Sequence, residues 1–506
     1  MKIANNTFIP ETLQLERLLK TKPEQFWLDR GEKMALQLFH EMSRRVPAYK
    51  EFLREHQFDP SKVKTVSDFK HIPLVDKDNY LRKFKRADLC WDGDFKQQSW
   101  VISTTSGSTG EPYYFPRQNL QDAQYARTAE LYLRANFQID KKSTLYIDAF
   151  PMGAWIGGVF TYEAVKQVAE NGAYSLSIIT PGINTLEVLK AVKNLGGDFD
   201  QILIGAYGPF LKDIVDQAAA EGVQWSDYDM GFILSAEAFS ETFRDYLIEK
   251  ASLKNIFTAT LNHYGTVDLG TMSHETPLSI LLRREALKNE RLYKELFSRA
   301  TSLPTHTQFL PELFYFEDID GSLVCSANSG IPLVRYDLKD RGNVMTKEKT
   351  FALARECGLD ITKLTKEAGL TDTIWNLPFV HVYERSDFSV SFYAFQIYPN
   401  TVRKALLDRS VQNKLTGKFT MRVDFDKNAR QCFEINTELK PHQKEDKTLK
   451  ENTEQLIIKH LLQENSEYRK VYEEYGATQV KPRIKFWPYG EPTYFLTGTK
   501  QKWVKK

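Results

Sequence analysis

The chain has 506 residues, 42% of them apolar and 13% aromatic, and its 68 basic residues almost balance its 66 acidic ones, for a formal charge of +2. That length exceeds one ordinary core, so two or more folded units are expected. The even balance excludes nucleic acid as an expected partner. No stretch reaches the ~18 consecutive apolar residues of a membrane span, and the start of the chain lacks the apolar core of a secretory signal, so a cytoplasmic protein without membrane association is expected.

Residues 1 to about 95 read as a helical lead-in of charged amphipathic segments punctuated by Pro47, Pro60 and Pro73. In Glu24–Val46 the apolar Leu28, Ala35, Leu38, Phe39 and Met42 recur near helical spacing. Next comes Ser103-Thr104-Thr105-Ser106-Gly107-Ser108-Thr109-Gly110-Glu111-Pro112, entered from Trp100-Val101-Ile102. Glycines allow the positive φ that turns backbone N–H groups into one concavity, and the hydroxyls add donors, so the run suits a phosphate chain. It is not a Walker A loop, because no lysine follows Gly110.

Beyond it, short apolar strands alternate with helices. Thr144–Ile147, Gln201–Ile204 and Gly231–Leu234 are predicted as strands, and Asn119–Phe137, Phe160–Asn171 and Leu186–Leu195 as helices. This alternation predicts an α/β fold with a largely parallel sheet. Charged helical insertions are expected within 274–305 and 343–376, after which Leu377-Pro378-Phe379-Val380-His381-Val382 runs into Glu384-Arg385-Ser386-Asp387. A smaller mixed domain begins near Asp387, with an alternating strand at Phe419–Phe425 and a charged helix over Asp446–Glu474. The chain closes on a basic stretch containing Gly498-Thr499-Lys500. Cys90, Cys325, Cys357 and Cys432 are widely spaced without C-x-x-C, His274-Glu275 does not continue as H-E-x-x-H, and no G-x-S-x-G occurs. Structural zinc, disulfides and the common hydrolase elbows are therefore not expected.

Four more segments follow the hydroxyl and glycine run: Ser235-Ala236-Glu237-Ala238, Asn262-His263-Tyr264-Gly265-Thr266-Val267-Asp268, Pro332 to Gly342 with Asp340, and Glu384-Arg385-Ser386-Asp387. In this order they resemble the ATP-site motifs of the adenylate-forming enzymes, most closely the phenylacetate–CoA ligase and CapK-like branch, over roughly residues 95–506. The resemblance implies a large N-terminal adenylate-forming domain (1–386, with the ATP and acid site in 99–342), mostly parallel sheets flanked by helices, and a small α+β C-terminal domain (387–506) on a hinge at Asp387. It implies ATP with Mg²⁺ and a small-molecule carboxylic acid as reactants, and CoA as co-substrate. Thr105, Ser106, Gly107, Ser108, Thr109 and Gly110 would close on the β- and γ-phosphates. Ala236 and Glu237 would line the adenine pocket, Asn262 would read the adenine edge, and Tyr264 would stack on the base where Gly265 lets the backbone approach, with His263 and Thr266 in the same nucleotide segment. Asp340 would accept from both ribose hydroxyls, Arg385 would meet ribose or phosphate, and Lys500 would be the catalytic lysine. Phe150, Trp155, Gly157 and Gly158 resemble the frame of the acid pocket, where aromatic rings would suit an aromatic or medium-sized acid.

The chain departs from the family pattern at three places. Val267-Asp268 stand where the family has Ser or Thr and a Mg²⁺-binding Glu, Glu384 replaces the Gly before the hinge Arg-x-Asp, and Glu111 replaces a lysine often found after the phosphate loop, at a position that varies within this branch. The cysteine and histidine set that holds zinc in some relatives is missing. Because two changes touch the metal and the hinge, transfer to a carrier protein or an amine in place of CoA stays open. So does a degenerate ATP-binding regulatory protein, and the subunit could be a monomer or a homodimer.

Overall fold

In the computed structural model the described residues are 11–104, 113–154, 156–172, 174–236, 238–297, 303–383, 390–392, 395–425, 431–465, 468–469, 472–473 and 476–495. The lead-in forms helices α1 (Thr12–Thr21), α2 (Glu24–Arg45), α3 (Pro47–Glu55) and the short α4 (Val66–Phe69). A two-stranded ribbon of β1 (Val101–Thr104) and β2 (Tyr114–Arg117) follows, joined by the hydroxyl and glycine run. Then come α5 (Asn119–Phe137), β3 (Thr144–Asp148), α6 (Ile156–Gly172), β4 (Leu176–Ile179), α7 (Thr185–Leu195), β5 (Gln201–Tyr207), α8 (Gly208–Gln217), β6 (Met230–Ser235) and α9 (Glu241–Lys250). This is the expected alternation. Strands β4, β3, β5, β6 and β7 (Thr260–Thr266) pair in that order, all parallel. Ile202, Leu203 and Ile204 of β5 are fully buried, as a strand covered by helices on both faces must be. One side packs Leu145, Ile147, Ile204 and Phe232 against α7, α8 and α9. The other packs Tyr146, Leu203, Ile233 and Leu261 against α5 and α6.

From β7 onward the sheet turns antiparallel. It continues through β8 (Gly270–His274), β9 (Thr305–Gln308), β13 (Phe379–Val382), β12 (Leu333–Met345), β11 (Ser322–Ala327) and β10 (Phe314–Ile319), which closes an 11-stranded sheet. The lead-in helices do not stand apart. Trp27, Phe39, Tyr49 and Phe69 share one core with Phe309, Phe316, Leu333 and Tyr336 of this half. The two charged insertions resolve into α10 (Pro277–Lys288), α11 (Glu290–Phe297), α12 (Lys347–Glu356) and α13 (Ile361–Glu367), which pack on each other. Thr276 starts α10 with a capping box and Pro277 in the first turn.

The C-terminal residues carry β14 (Val390–Phe392), β15 (Phe395–Ile397), α14 (Pro399–Leu406), β16 (Leu415–Phe425), β17 (Gln431–Leu439), α15 (Lys447–Glu464) and β18 (Arg483–Trp487). Val402, Phe419, Phe433, Ile457 and Ile484 gather there into a separate core. Asp446 caps α15, which ends at Glu464, short of the predicted Glu474. Among the described residues no helix is long and apolar enough to cross a membrane.

Candidate nucleotide and acid site

The C-terminal edges of β5, β6 and β7 lie side by side, with Tyr207 opposite Ser235 and Leu234 opposite Asn262. At this edge Ala236 takes a left-handed backbone (φ 72°), strained for a residue with a Cβ and common where a chain turns sharply at a functional site. Asn262 is buried, and its peptide N–H donates to Glu275 Oε2 at 2.9 Å while its carbonyl accepts from Glu275 N–H at 2.8 Å. Glu275 also accepts from Arg244 (2.8 and 2.9 Å) and Arg283 (2.7 Å), so a fully buried ionic cluster fixes the backbone of the residue expected to read adenine.

Tyr264 lies two residues along, on the same face of β7 as Asn262. Its hydroxyl donates to Asp340 Oδ2 at 2.8 Å across 76 residues of sequence. The β7–β8 register slips between Tyr264 and Gly265, and a Cβ on Gly265 would meet Gly270 O at 2.5 Å, so only glycine fits this close approach. On β12, Tyr336 and Asp340 are buried on one face, and Tyr336 donates to Asp268 Oδ2 at 2.5 Å. Asn262, Tyr264, Gly265, Asp268 and Asp340 are thereby brought into one patch where the sheet changes from parallel to antiparallel.

Two residues of the same motif stand elsewhere. His263 alternates to the opposite face of β7, where its ring packs against Tyr132 (centroids 4.9 Å) and Tyr125 (6.1 Å) beneath α5. Burial, with His274 beside it, pushes His263 well below the usual imidazole range, and its ring stands among core aromatics on the face opposite Asn262 and Tyr264. Thr266 accepts from Leu269 N–H at 3.3 Å and serves the β7–β8 turn. Thr105 to Gly110, Trp155, Glu237, Arg385, Asp387 and Lys500 lie outside the described residues, as does the expected boundary at 386–387.

The ribbon that carries the two ends of the hydroxyl and glycine run is tied to the acid segment, because Thr104 N–H donates to Ala154 O at 2.8 Å. Phe150 is buried, edge-on to Tyr207 (5.5 Å) and packed over Gly205, so it forms a wall. A Cβ on Gly157 would meet the Tyr207 hydroxyl at 3.2 Å, and one on Gly158 would strike Met152 Sδ at 2.6 Å.

Four further side chains around these residues lie outside the motifs. Arg117, buried, donates to Asp122 (2.6 Å) and Ser103 (3.2 Å) and lies 4.6 Å from the Phe160 ring. Asp148 closes β3 beneath Phe150, with Oδ1 accepting from Phe150 N–H, and burial raises its carboxyl well above the usual range. Tyr207 is noted above. Lys77 lies 3.2 Å from Asp268 Oδ2. The signal for Arg117 was its place on the strand leaving the run; Asp148, Tyr207 and Lys77 carry no motif.

For the Mg²⁺ implied by the resemblance, Asp268 offers Oδ1, which is buried and makes no hydrogen bond among the described residues, while its Oδ2 is engaged. Asp268 Oδ2 is shared by a phenol and an ammonium, and that ammonium repels a second cation. No group of three His, Cys, Asp or Glu side chains is placed to hold a metal among the described residues.

No family model and no curated protein sequence matches the chain. Solved structures match over nearly its whole length. A 2-hydroxyisobutyryl-CoA ligase in the postadenylation state with R3-HIB-AMP has a TM-score of 0.67 at 13% identity, covering 97% of this chain and 91% of that one. The same ligase with 2-HIB-AMP and CoA in the thioesterification state scores 0.56 at 13% identity, covering 100% and 95%. An acyl acid amido synthetase, GH3.15, scores 0.56 at 14% identity, covering 96% and 90%. The chain therefore has the fold of the adenylate-forming ligases.

Proposed function

We propose that this chain, built on the adenylate-forming fold, activates a carboxylic acid with ATP and passes the acyl group to a thiol, with CoA as the acceptor. One observation carries the reading: the Tyr264 hydroxyl and the Asp340 carboxylate, 2.8 Å apart, stand together with Asn262 where the motifs assign adenine and ribose. A carboxylate has two acceptor oxygens for a vicinal diol. Tyr264, held by that hydrogen bond, offers a flat face for a purine.

In the first step a carboxylate oxygen of the acid attacks the α-phosphorus of ATP. The bond from that phosphorus to the bridging oxygen breaks, and pyrophosphate leaves with the electron pair. Two anions must meet in line against their repulsion, so positioning and cationic donors supply most of the acceleration. Arg385 and Lys500 are proposed as those donors, with the run from Thr105 to Gly110 around the β- and γ-phosphates. In the second step the thiolate attacks the acyl carbonyl and AMP departs. The acid pocket is proposed between Phe150, Trp155 and the Gly157-Gly158 pair, where a Cβ on Gly157 would crowd the Tyr207 hydroxyl at 3.2 Å. An amine acceptor is the second reading, favoured by the full-length likeness to an acyl acid amido synthetase.

The test is acid-dependent ATP–pyrophosphate exchange across a panel of acids, with Lys500→Ala alongside. Exchange that requires a particular acid and falls about 10²–10³-fold in the variant is the expected result. Thioester formation with CoA then separates the thiol from the amine reading. ATP binding without exchange for any acid would leave a nucleotide-binding regulatory protein.

A further inference from the structure

Lys77 belongs to the helical lead-in, yet it reaches the nucleotide patch. Its place is set by an isolated bridge between Val75 and Tyr336: Val75 N–H donates to Arg335 O at 3.1 Å, and Asp337 N–H to Val75 O at 2.9 Å. Asp76, next in sequence, caps the following turn by accepting from Asp78 and Asn79 N–H groups at 2.9 and 2.8 Å. The Lys77 ammonium is thereby held 3.2 Å from Asp268 Oδ2 and 5.8 Å from the Phe115 ring centroid. Phe115 lies on β2, just past the hydroxyl and glycine run, where the sequence carries Glu111 in place of a lysine. The Lys77 side chain keeps 31% of its surface exposed, so a ligand can reach it, whereas Asp268 is only 4% exposed.

We propose that Lys77 is a ligand for the polyphosphate tail of the nucleotide, binding the β- and γ-phosphates of ATP and then the released pyrophosphate. The inference rests on the adenylating reading above and adds to it. An ammonium has three donors and acts as a compact point charge, so one N–H can stay on Asp268 while the others turn to phosphate oxygens. The chain thus supplies from its N-terminal region the cation that is missing at position 111. In this arrangement Asp268 orients the lysine and Tyr336 orients the acid.

The experiment measures ATP, pyrophosphate and AMP affinities of the full chain by calorimetry for wild type, Lys77→Met and Lys77→Arg. Lys77→Met is expected to lose about 10- to 100-fold in ATP and pyrophosphate affinity, the worth of one or two charged hydrogen bonds, while AMP binding stays within about twofold. Lys77→Arg recovers most of the loss. In wild type, acetylation of Lys77 mapped by mass spectrometry should be slowed by pyrophosphate and not by AMP, a readout independent of whether the methionine variant folds. Unchanged ATP affinity in folded Lys77→Met, or equal losses for ATP and AMP, would overturn the proposal and leave Lys77 a structural partner of Asp268. If wild type bound neither ATP nor AMP, the nucleotide-site reading would fall first and this inference with it.

Discussion

Replacing Glu275 by glutamine tests how far the buried ionic cluster supports the nucleotide patch. Glu275, Arg244 and Arg283 are fully buried. Arg244 also donates to Glu241 at 2.9 Å and to Thr260 at 2.5 Å; Arg283 lies 3.3 Å from Glu241, and Arg284 joins at 3.0 Å. Glu275→Gln keeps the shape but turns an amide NH₂ toward guanidinium donors, leaving two buried arginines to share Glu241. Breaking such a pair costs about 3–5 kcal/mol. At about 2.1 cal/mol/K per residue, a cooperative unit of roughly 400 residues has an unfolding entropy near ~0.8 kcal/mol/K, so the melting temperature should fall by about 4–6 °C. Thermal and urea unfolding measure this. The double variant Glu275→Gln, Arg283→Met should lose less than the sum of the singles, by at least ~1 kcal/mol. Nucleotide affinity should fall as well, because the Asn262 peptide loses its charged acceptor. A loss below ~1 kcal/mol would refute the reasoning, since it would mean that solvent screens the cluster as it screens surface pairs. Acid sharpens the test. Burial alone would raise the Glu241 carboxyl, but Arg244, Arg283 and Arg284 outweigh it and hold it below its usual value. Its contribution is therefore present above the unfolded carboxylate range and is lost as pH drops through the lowered folded value.

Asp340→Asn should weaken ATP and AMP binding together by about 10- to 100-fold in calorimetry, and Tyr264→Phe should weaken both by less, because it only frees the carboxylate that the hydroxyl orients. Equal binding by Asp340→Asn and wild type would remove the ribose assignment. Lys418 of β16, buried, joins Asp213 of α8 at 2.6 Å and lies 3.5 Å from Glu438. Lys418→Met should destabilise by about 3–5 kcal/mol and speed amide exchange in both α8 and β16. The exposed pair Arg409 and Glu249 at 3.3 Å is the control, and Arg409→Ala should cost under ~1 kcal/mol.

Where local pattern decides structure, sequence and fold agree closely. Asn119–Phe137 forms the predicted helix end to end, and the apolar runs beginning at Thr144 and Gln201 are parallel strands. The antiparallel half of the sheet was not legible, because β12 pairs with β13 across two helices and the choice depends on where those helices pack. The helix after Asp446 stops at Glu464, where Asn465 leaves the helical backbone and its side chain accepts from Tyr468 N–H at 2.8 Å.

At the site the limit is of another kind. The run Asn262-His263-Tyr264 reads as one motif, yet it lies on a strand, and period-two alternation sends Asn262 and Tyr264 to the face shared with Asp340 and His263 into the core. That division is legible once the segment is recognised as a strand. Lys77 is a different case. Nothing around it distinguishes it from its neighbours, because what places it is a single bridge to Tyr336, made far away in sequence. A motif records residues that meet a ligand from one segment, whereas a charge delivered by tertiary pairing leaves no local trace. The sequence does carry the complementary signal, an acid at 111 and a shortened acid at 268. The fold adds what the sequence could not show, an ammonium 3.2 Å from the second of them.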